Sequence, residues 1–177
     1  MNNIFLIVAT DMNNIIAKNG EIPWHCSSDF KFFKNKTIKN TVIMGVNTYN
    51  TIGKPLPDRN NIILDHTFNS NKHNICDDNA NPYYIYNNIP DALNKAYELN
   101  KKIYICGGLS VYKTFLEMDI VYKSYINRIK KCVSYTDKDT VLRFPNIDEY
   151  GQWVLKNCKE YKDFISLELK NKKKELK

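Results

Sequence analysis

The sequence predicts an α/β protein of one domain, in which a mostly parallel, twisted sheet of about eight strands is flanked by helices. Apolar runs of strand length alternate with segments of helical pattern, which is typical of parallel strands joined by right-handed crossovers. The last two predicted strands, 153–160 and 163–170, have no helix between them, so we expect an antiparallel hairpin at a sheet edge. The chain has 177 residues, 43% of them hydrophobic, and can therefore bury the core of one domain.

The individual elements follow from local patterns. IFLIVAT at 4–10 has the length and apolarity of a buried strand. A long loop through Trp24 leads to a helix at 27–36, for which Ser27 or Ser28 is the expected N-cap. Asn88 is expected to cap a helix at 89–100 that has Pro90 in its first turn. Further strands are predicted at 41–45, 60–64, 83–86, 102–106 and 121–129, and further helices at 47–52 and 109–117.

Composition excludes several classes of protein. The early apolar run is too short to cross a bilayer, and the N-terminal segment shows neither a basic region nor a small-residue cleavage site. Five scattered Cys without a CxxC pair favour free thiols in a reducing compartment, and three His show no metal-ligand spacing. We therefore predict a cytoplasmic protein with no metal site and no membrane association. The Asn-rich stretch 66–82 is expected to be an exposed loop within the domain rather than a linker.

The net charge of +7 is concentrated at the C-terminus. The last eight residues, KNKKKELK, contain five Lys and one Glu and so carry four of the seven net positive charges. A short basic terminus is usually a solvated tail rather than a nucleic-acid arm. We therefore assign 1–170 to the domain and 171–177 to a basic tail, and predict no nucleic-acid partner.

Asp29 stands in an unusual context, the stretch IPWHCSSDFKFFK at 22–34. One interpretation is that Asp29 simply lies in the first helical turn, where a negative charge suits the helix dipole. The other is that it faces a pocket, because residues i and i+4 share a helix face and Phe33 therefore points the same way as Asp29. With Trp24 just upstream, a carboxylate and aromatic rings resemble the wall of a pocket for a flat, cationic or amidine-like ring.

A second feature is the strand–Gly–Gly–helix junction CGGLSVY at 106–112. Ligands of open parallel sheets bind at the carboxyl ends of the strands, where Thr10, Gly45, Asp65 and Gly107 are predicted to lie. A helix N-terminus offers unpaired N–H groups there, and glycines let a phosphate approach the backbone. The junction by itself is a weak signal, because many turns contain Gly for conformational reasons alone.

Three blocks together, at 7–34, 42–64 and 103–117, resemble dihydrofolate reductase in order and separation. The matching motifs are the Ile-Pro-Trp segment followed by a helical Asp, the Met-Gly-x-x-Thr-x-x-x-Ile segment ending in Pro-Leu-x-x-Arg, and the Gly-Gly-x-x-x-Tyr turn. The resemblance implies reduction of 7,8-dihydrofolate to 5,6,7,8-tetrahydrofolate with NADPH, in one-carbon and thymidylate metabolism. It also implies a monomer that binds antifolates.

The resemblance assigns the catalytic and substrate-binding residues. It implies that Asp29 binds the pterin N3 and 2-amino groups, that Trp24 positions a water near this carboxylate, and that Ile22 lies on a loop closing over the nicotinamide. Arg59 matches the arginine that pairs with the α-carboxylate of the glutamate tail. The catalytic set is Asp29, Trp24 and Ile22, and the substrate set is Ile7, Val8, Asp29, Phe33, Ile52, Lys54, Arg59, Tyr112 and Asn127.

The resemblance likewise implies an NADPH site with a cis peptide between Gly107 and Gly108. The implied cofactor-binding residues are Ala9, Ile16, Ala17, Asn19, Gly20, Val46, Asn47, Thr48, Leu64, Asp65, His66, Cys106, Gly107, Gly108, Leu109, Ser110, Val111 and Tyr112.

Several positions depart from the family pattern, chiefly on the cofactor side. Val46 stands where an Arg or Lys is usual, Leu109 replaces a Gly or small residue, and Ala17 replaces a Gly. Asn127 stands where a Thr normally hydrogen-bonds the carboxylate; because Asn can also donate, we expect Asp29 still to be oriented. Two alternatives stay open. A pterin or pyrimidine reductase of the same fold would not need Arg59, and a binding protein without productive cofactor binding would fit the changes at Val46 and Leu109.

Overall fold

The order of strands and helices follows the predicted alternation. The computed structural model describes residues 3–69, 75–76 and 83–174. In chain order the elements are β1 (Ile4–Thr10), β2 (Ile15–Lys18), α1 (Ser27–Thr37), β3 (Thr41–Gly45), α2 (Val46–Ile52), β4 (Asn60–Leu64), β5 (Ile75–Cys76), β6 (Tyr83–Tyr86), α3 (Ile89–Glu98), β7 (Ile103–Ile105), α4 (Leu109–Glu117), β8 (Lys123–Ile129), β9 (Val141–Arg143), β10 (Trp153–Glu160) and β11 (Phe164–Asn171), with 3₁₀ turns at Ile147–Tyr150 and Lys172–Lys174.

Within the described residues, the main sheet has nine strands in the order β10-β11-β8-β1-β7-β3-β4-β6-β5. The central pairs, from β8 through β1, β7, β3 and β4 to β6, are all parallel. The antiparallel pairs are β5 with β6 at one edge, and β10 with β11 and β11 with β8 at the other. The predicted fold class, including the antiparallel C-terminal hairpin, is confirmed.

Alternate residues of the strands build a core on each face of the sheet, as the two-residue period of a strand requires. On one face, Leu6 and Val8 of β1 belong to a cluster that includes Phe115 of α4 and the α3 residue Leu93. On the other face, Ile7 belongs to a second cluster, against which α1 packs through Phe32 and Phe33 and α2 through Val46 and Tyr49. The groove between α1 and α2 therefore lies on the Ile7 face of the sheet.

The cap of α1 differs from the prediction. The residue at the N-cap position is Cys26, which makes no side-chain capping bond, and Ser27 is already helical. Both serine hydroxyls are engaged elsewhere, since Ser27 Oγ lies 2.9 Å from His25 Nε2 and Ser28 Oγ donates to Asp163 Oδ2 at 2.8 Å. The predicted cap of α3 is confirmed, because Asn88 Oδ1 accepts a hydrogen bond from the backbone N–H of Asp91 at 2.9 Å.

Three short strands lie in segments for which no strand was predicted. β2 and β9 pair antiparallel as a separate two-stranded sheet, and β5 lies inside the stretch 66–82. At the C-terminus, Asn171 is the last residue of β11 and is buried, so the strand reaches one residue into the segment assigned to the tail. Residues 70–74, 77–82 and 175–177 of the predicted loop and tail lie outside the described residues.

Candidate active site

The carboxyl ends of β3 and β7 are joined through glycines. The N–H of Gly45 donates to the carbonyl of Gly107 at 2.7 Å, and a Cβ on Gly45 would lie 3.2 Å from a methyl group of Val111. The first residue of α4 follows Gly108, which caps it without any side-chain hydrogen bond. The N–H groups in the first turn of α4 therefore have no side-chain cap, and such groups at a helix N-terminus are suited to an anion.

Position 107 favours glycine because of its backbone conformation and because a side chain there would be too close to Tyr112. Its φ of +102° lies in the region that favours glycine, and a Cβ there would lie 2.9 Å from the ring of Tyr112. The peptide bond between Gly107 and Gly108 is cis, as the family resemblance implies. Tyr112 itself is buried, and its hydroxyl donates to the carbonyl of Ile7 at 2.9 Å. The Gly-Gly turn, α4 and β1 are thereby fixed relative to one another.

Asp29 lies in the first turn of α1 and is 7% exposed. Its Oδ1 accepts a hydrogen bond from Asn127 Nδ2 at 2.7 Å, between residues 98 positions apart in the chain. Asn127 lies in the middle of β8, where its neighbours in the sheet are Ala9 of β1 and Ser166 of β11. A strand that is paired on both sides thus holds the group that orients the carboxylate.

Burial dominates the electrostatics of Asp29. Desolvation raises the pKa of its carboxyl, and the hydrogen bond from Asn127 lowers it by a smaller amount. Asp29 in turn contributes to raising the pKa of Tyr112, although burial is the larger cause there. Among the described residues, no Lys, Arg or His forms an ion pair with Asp29.

Arg59 is also buried, at 7% exposure, and is held from two sides. Its Nε donates to the carbonyl of Pro57 at 2.9 Å, and its Nη1 donates to Thr37 Oγ1 at 3.1 Å. Its guanidinium lies 5.9 Å from the centre of the Phe33 ring. The side chain of Asn61 makes three hydrogen bonds to the backbone of Leu56 and Arg59, which order the loop that carries the guanidinium.

The segment before Ile22 is hydrogen-bonded to residues 139–140, which lie 120 and 121 positions further along the chain. Asn19 Nδ2 donates to Asp139 Oδ1 at 2.8 Å, and Asn19 Oδ1 accepts from the N–H of Thr140 at 2.8 Å. Lys18 Nζ lies 3.3 Å from Asp139 Oδ2. Ile22 follows this attachment and is 50% exposed. The β2–β9 pair therefore supports a short projecting segment with an apolar side chain at its tip.

At the end of β4, the carboxylate of Asp65 is engaged with its own turn. Asp65 Oδ1 accepts from both the N–H and the hydroxyl of Thr67, at 2.9 and 2.7 Å. His66 is exposed, and its Nδ1 lies 3.0 Å from the carbonyl of Asn87. Val46, which begins α2, brings no charge to this region. Neither Val46 nor Asp65 supplies the positive charge that an Arg or Lys at position 46 provides in the family pattern.

Val8 and Trp24, both predicted for the site, lie in hydrophobic clusters other than the one that Phe33 packs against. The side chain of Val8 lies in the cluster on the opposite face from Phe33, so only its backbone can take part in a site on the Ile7 face. Trp24 is buried in a small cluster with Cys26, Ile129 and Phe164. The following predicted residues are partly or fully exposed at the rim: Ala17, Asn19, Gly20, Ile22, Asn47, Thr48, Ile52, Lys54, Asp65, His66, Leu109 and Ser110.

Three residues of the site were not predicted from the sequence. Thr37 holds Arg59, and Lys18 and Asp139 fix the segment before Ile22. For Thr37 a signal was available, because it lies one helical turn after Phe33 on the same face of α1. Cys106 was predicted as a cofactor residue. The residue is partly exposed, but its thiol donates to the carbonyl of Tyr104 at 3.4 Å, and burial raises the pKa of the thiol.

In the described part of the chain, no helix combines the length and apolarity of a membrane span. Nor do three or more His, Cys, Asp or Glu side chains gather there in an arrangement that could hold a metal ion.

A helix N-terminus that follows a Gly-Gly turn thus stands at the carboxyl end of β7, and a buried carboxylate lies in the first turn of α1. This layout is expected of an α/β protein that brings a dinucleotide to a second small molecule. Comparisons with known proteins agree. A family model described as dihydrofolate reductase matches residues 3–170. The chain belongs to the dihydrofolate reductase family, whose members are NADPH-dependent oxidoreductases.

Individual relatives cover most of the chain. A dihydrofolate reductase of Staphylococcus haemolyticus is 34% identical over 149 residues, which are 84% of this chain and 81% of that protein. One of Buchnera aphidicola subsp. Baizongia pistaciae is 36% identical over 131 residues, covering 74% of this chain and 73% of that one. The solved structure of dihydrofolate reductase from Enterococcus faecalis, complexed with NADP(H) and RAB-propyl, matches with a TM-score of 0.73 and 26% identity and covers 95% of both chains.

Proposed function

We propose that this chain is a working dihydrofolate reductase that reduces 7,8-dihydrofolate to 5,6,7,8-tetrahydrofolate with NADPH. The observation that carries this proposal is the hydrogen-bonded, buried pair of Asp29 and Asn127, in a cleft that also contains the open N-terminus of α4. A binding protein that had lost the reaction would have no need to keep a carboxylate buried without a cation beside it, because such burial is unfavourable.

The cofactor fits the glycine-lined end of the cleft. A pyrophosphate needs close access to backbone N–H groups, and the sequence from Gly107 to Leu109 offers this without a capping side chain. Thr48 stands close by, since a Cβ on Gly108 would lie 3.2 Å from its hydroxyl oxygen. When bound, NADPH supplies the hydride from C4 of its nicotinamide. The role of the chain is to hold both rings in place and to exclude water.

Asp29 is the residue that we propose for pterin recognition. An ionised carboxylate offers two acceptor oxygens, which match the paired donors N3–H and 2-amino of the pterin. Its negative charge favours a proton on the bound ring, at N5, and a proton at N5 makes C6 electrophilic. Ile7 and Phe33 provide apolar walls, since both belong to the core cluster on this face of the sheet.

Arg59 is proposed to bind the α-carboxylate of the glutamate tail. Nε and Nη1 are engaged by Pro57 and Thr37, which fixes the plane of the guanidinium and leaves its remaining N–H groups for a carboxylate. Lys54, which follows α2, is exposed and adds positive charge to the segment that leads to Arg59. This recognition separates the proposed substrate from pterins that lack a glutamate.

The segment with Ile22 is proposed to cover the nicotinamide side of the cleft. It is anchored behind by Asn19 and Lys18, while Ile22 remains half-exposed at the tip. Covering the reacting atoms with an apolar side chain excludes water during hydride transfer. We further propose that the protein acts as a cytoplasmic monomer in one-carbon and thymidylate metabolism, that it binds antifolates, and that nucleic acids and membranes are not its partners.

The test is the decrease in absorbance of NADPH on addition of dihydrofolate, compared with addition of a dihydropterin without a glutamate tail. The proposal expects turnover with dihydrofolate and a higher KM for the short pterin. Equal kcat/KM for both substrates would favour a reductase of other pterins. Tight binding of NADPH without turnover of either substrate would show that the chain has kept the fold and lost the reaction.

A further inference from the structure

Asp11 is a buried carboxylate that has no part in the reaction as described so far. It follows directly after β1 and has no exposed surface. Its Oδ1 accepts hydrogen bonds from the N–H groups of Asn13 and Ile15, both at 2.8 Å, and its Oδ2 accepts one from the N–H of Val133 at 2.8 Å. One side chain thus joins the end of β1, the start of β2 and the segment that follows β8.

The turn 11–15 has further hydrogen bonds to the same distant part of the chain. The N–H of Met12 donates to the carbonyl of Lys131 at 3.0 Å. From the other side, Arg143 Nη1 donates to the carbonyl of Asn13 at 2.6 Å. The turn is therefore bonded both to the segment after β8 and to the end of β9.

The same two parts of the chain meet again nearer to Ile22, where Lys18 and Asn19 contact Asp139 and Thr140. These contacts lie at the protein surface, where hydrogen bonds and ion pairs compete with water and each contributes little. Charge-assisted hydrogen bonds to a carboxylate that is removed from water are stronger. The position of the segment that carries Ile22 is therefore determined mainly at its inner end, where the carboxylate is buried.

β2 connects this inner end to Ile22. Ile15, the first residue of β2, is fully buried, and its N–H is one of the three that donate to Asp11. The strand ends at Lys18, and Ile22 follows four residues later in the sequence. Because β2 is paired with β9, a displacement of the turn moves the two strands together, and Ile22 with them.

We propose that Asp11 is a positioning residue whose carboxylate fixes the turn from which the segment with Ile22 extends over the nicotinamide. Asp11 itself contacts neither substrate nor cofactor in this proposal, so it acts through Ile22. The inference rests on the proposed function, because that function assigns Ile22 to the nicotinamide side of the cleft. The attachment of the segment can be measured without any ligand.

The experiment compares the wild type with Asp11→Asn and with Asp137→Asn. Asn has the shape of Asp, but one of its two terminal atoms is an amide nitrogen, which would face a backbone N–H instead of accepting from it. Asp137 is exposed in the segment after β8, so its variant controls for the loss of one negative charge. Three quantities are measured: the Kd of NADPH, the Kd of 2′,5′-ADP, which has no nicotinamide, and the rate of tryptic cleavage after Lys18 in the ligand-free protein.

Asp11→Asn is expected to raise the Kd of NADPH by about tenfold, which corresponds to ~1.4 kcal/mol. The Kd of 2′,5′-ADP should be almost unchanged, because only the nicotinamide side loses its cover. Hydride transfer in a single turnover should slow by about 10- to 100-fold, since a small misplacement near the reacting atoms is costly. Cleavage after Lys18 should be faster than in the wild type, whereas Asp137→Asn should match the wild type throughout.

Two results for Asp11→Asn would overturn the proposal. An unchanged Kd of NADPH would show that the carboxylate does not act on the segment, and an equal loss for 2′,5′-ADP would show that it supports the fold as a whole. If Asp11→Asn fails to fold, Arg143→Met decides, because it loosens the same turn from an exposed position by removing the bonds to Asn13 and Tyr135. A variant of Arg143 without a selective loss for NADPH would overturn the proposal too.

The proposed function can fail separately. A wild-type protein without turnover of dihydrofolate would refute that function. The attachment of the segment would then be decided by proteolysis alone, and equal rates of cleavage after Lys18 in Asp11→Asn and Asp137→Asn would refute it.

Discussion

At Asp29 and Arg59 the proposed reaction depends on two charged side chains that the fold has largely removed from water. Each is held by a neutral partner that is distant in sequence, Asn127 for the carboxylate and Thr37 for the guanidinium. A neutral partner orients a charge without cancelling it, so the charge stays available for a ligand. The first two predictions concern these two residues.

Asp29→Asn is expected to fold and to bind NADPH, but to lose most of its turnover at neutral pH. Asn has nearly the same shape, yet it cannot stabilise a protonated pterin. Part of the activity should return at low pH, where the substrate is protonated by the solvent. Steady-state kcat between pH 5 and 8, together with the Kd of NADPH, checks this. Turnover equal to that of the wild type at pH 7 would show that Asp29 is not catalytic.

Arg59→Leu is expected to weaken the binding of folate and methotrexate by about 1.5–3 kcal/mol, the range for one charge-assisted contact. A small diaminopyrimidine without a glutamate should bind almost unchanged. Calorimetric titration of both ligand types measures the difference, with Lys101→Leu as the control for loss of a positive charge at an exposed position. Equal losses for both ligands would mean that Arg59 supports the fold rather than the tail.

At the scale of elements, we propose that the cofactor's 2′-phosphate binds next to the carboxyl ends of β3 and β4. Val46 and Asp65 offer no positive charge there, and the Asp65 carboxylate is bound within its own turn by Thr67. We therefore predict that the chain prefers NADPH over NADH by an unusually small factor. Val46→Arg and Asp65→Ser should each increase this preference by about one to two decades.

The ratio of kcat/KM for the two cofactors, and the Kd values of NADP⁺ and NAD⁺, test this prediction. Asp148→Ser serves as the control, because it removes an exposed carboxylate in the 3₁₀ turn Ile147–Tyr150. A wild-type protein that already discriminates by several thousandfold, with neither variant increasing the ratio, would contradict the idea. Other cations of the chain would then supply the missing contact.

How far the sequence predicts these elements depends on whether the signal is local. The buried strands β1, β3 and β4 and the helices α3 and α4 are evident because each carries its own apolar pattern and, for α3, its own cap. β2 and β9 are not evident, because each has three or four residues and becomes a strand only through a partner about 125 positions away. Ser27 and Ser28 were expected to cap α1, but both are helical and their hydroxyls contact His25 and Asp163.

The residues of the site likewise divide into those with a local sequence signal and those without one. Asp29 with Phe33 on one helix face and the Gly107–Gly108 turn are local patterns, so they can be read directly. The roles of Arg59, Asn127 and the cofactor residues come from the family resemblance, and composition or periodicity alone would not have produced them. The Asn127–Asp29 and Thr37–Arg59 hydrogen bonds depend on side-chain directions that no sequence pattern specifies.

At the scale of the whole molecule, the buried charge of Asp29 should reduce stability. Burial raises the folded-state pKa of Asp29 above its unfolded value, so the folded protein binds this proton more tightly. The stability that the protonated form provides is present at low pH and is lost as the pH rises from the unfolded pKa through the folded one. At neutral pH the ionised group therefore makes a net unfavourable contribution.

Asp29→Asn is accordingly expected to be more stable than the wild type at pH 7, because it has no charge to bury. The difference in Tm should shrink as the pH falls toward 4 and Asp29 gains its proton. Thermal unfolding in the absence of ligands, at intervals between pH 4 and 8, measures this. A difference in Tm that stays constant across this range would mean that the carboxylate is not destabilised by burial.

The central claim is that one cleft brings the nicotinamide and the pterin together for direct hydride transfer to C6. The measurement that tests it most directly is a single turnover with NADPH carrying deuterium at both C4 positions, followed by NMR of the folate product. The account predicts one deuterium at C6 of tetrahydrofolate in the wild-type protein and a much slower appearance of the same label in Asp29→Asn. Product without deuterium, or with deuterium at another ring position, would contradict it.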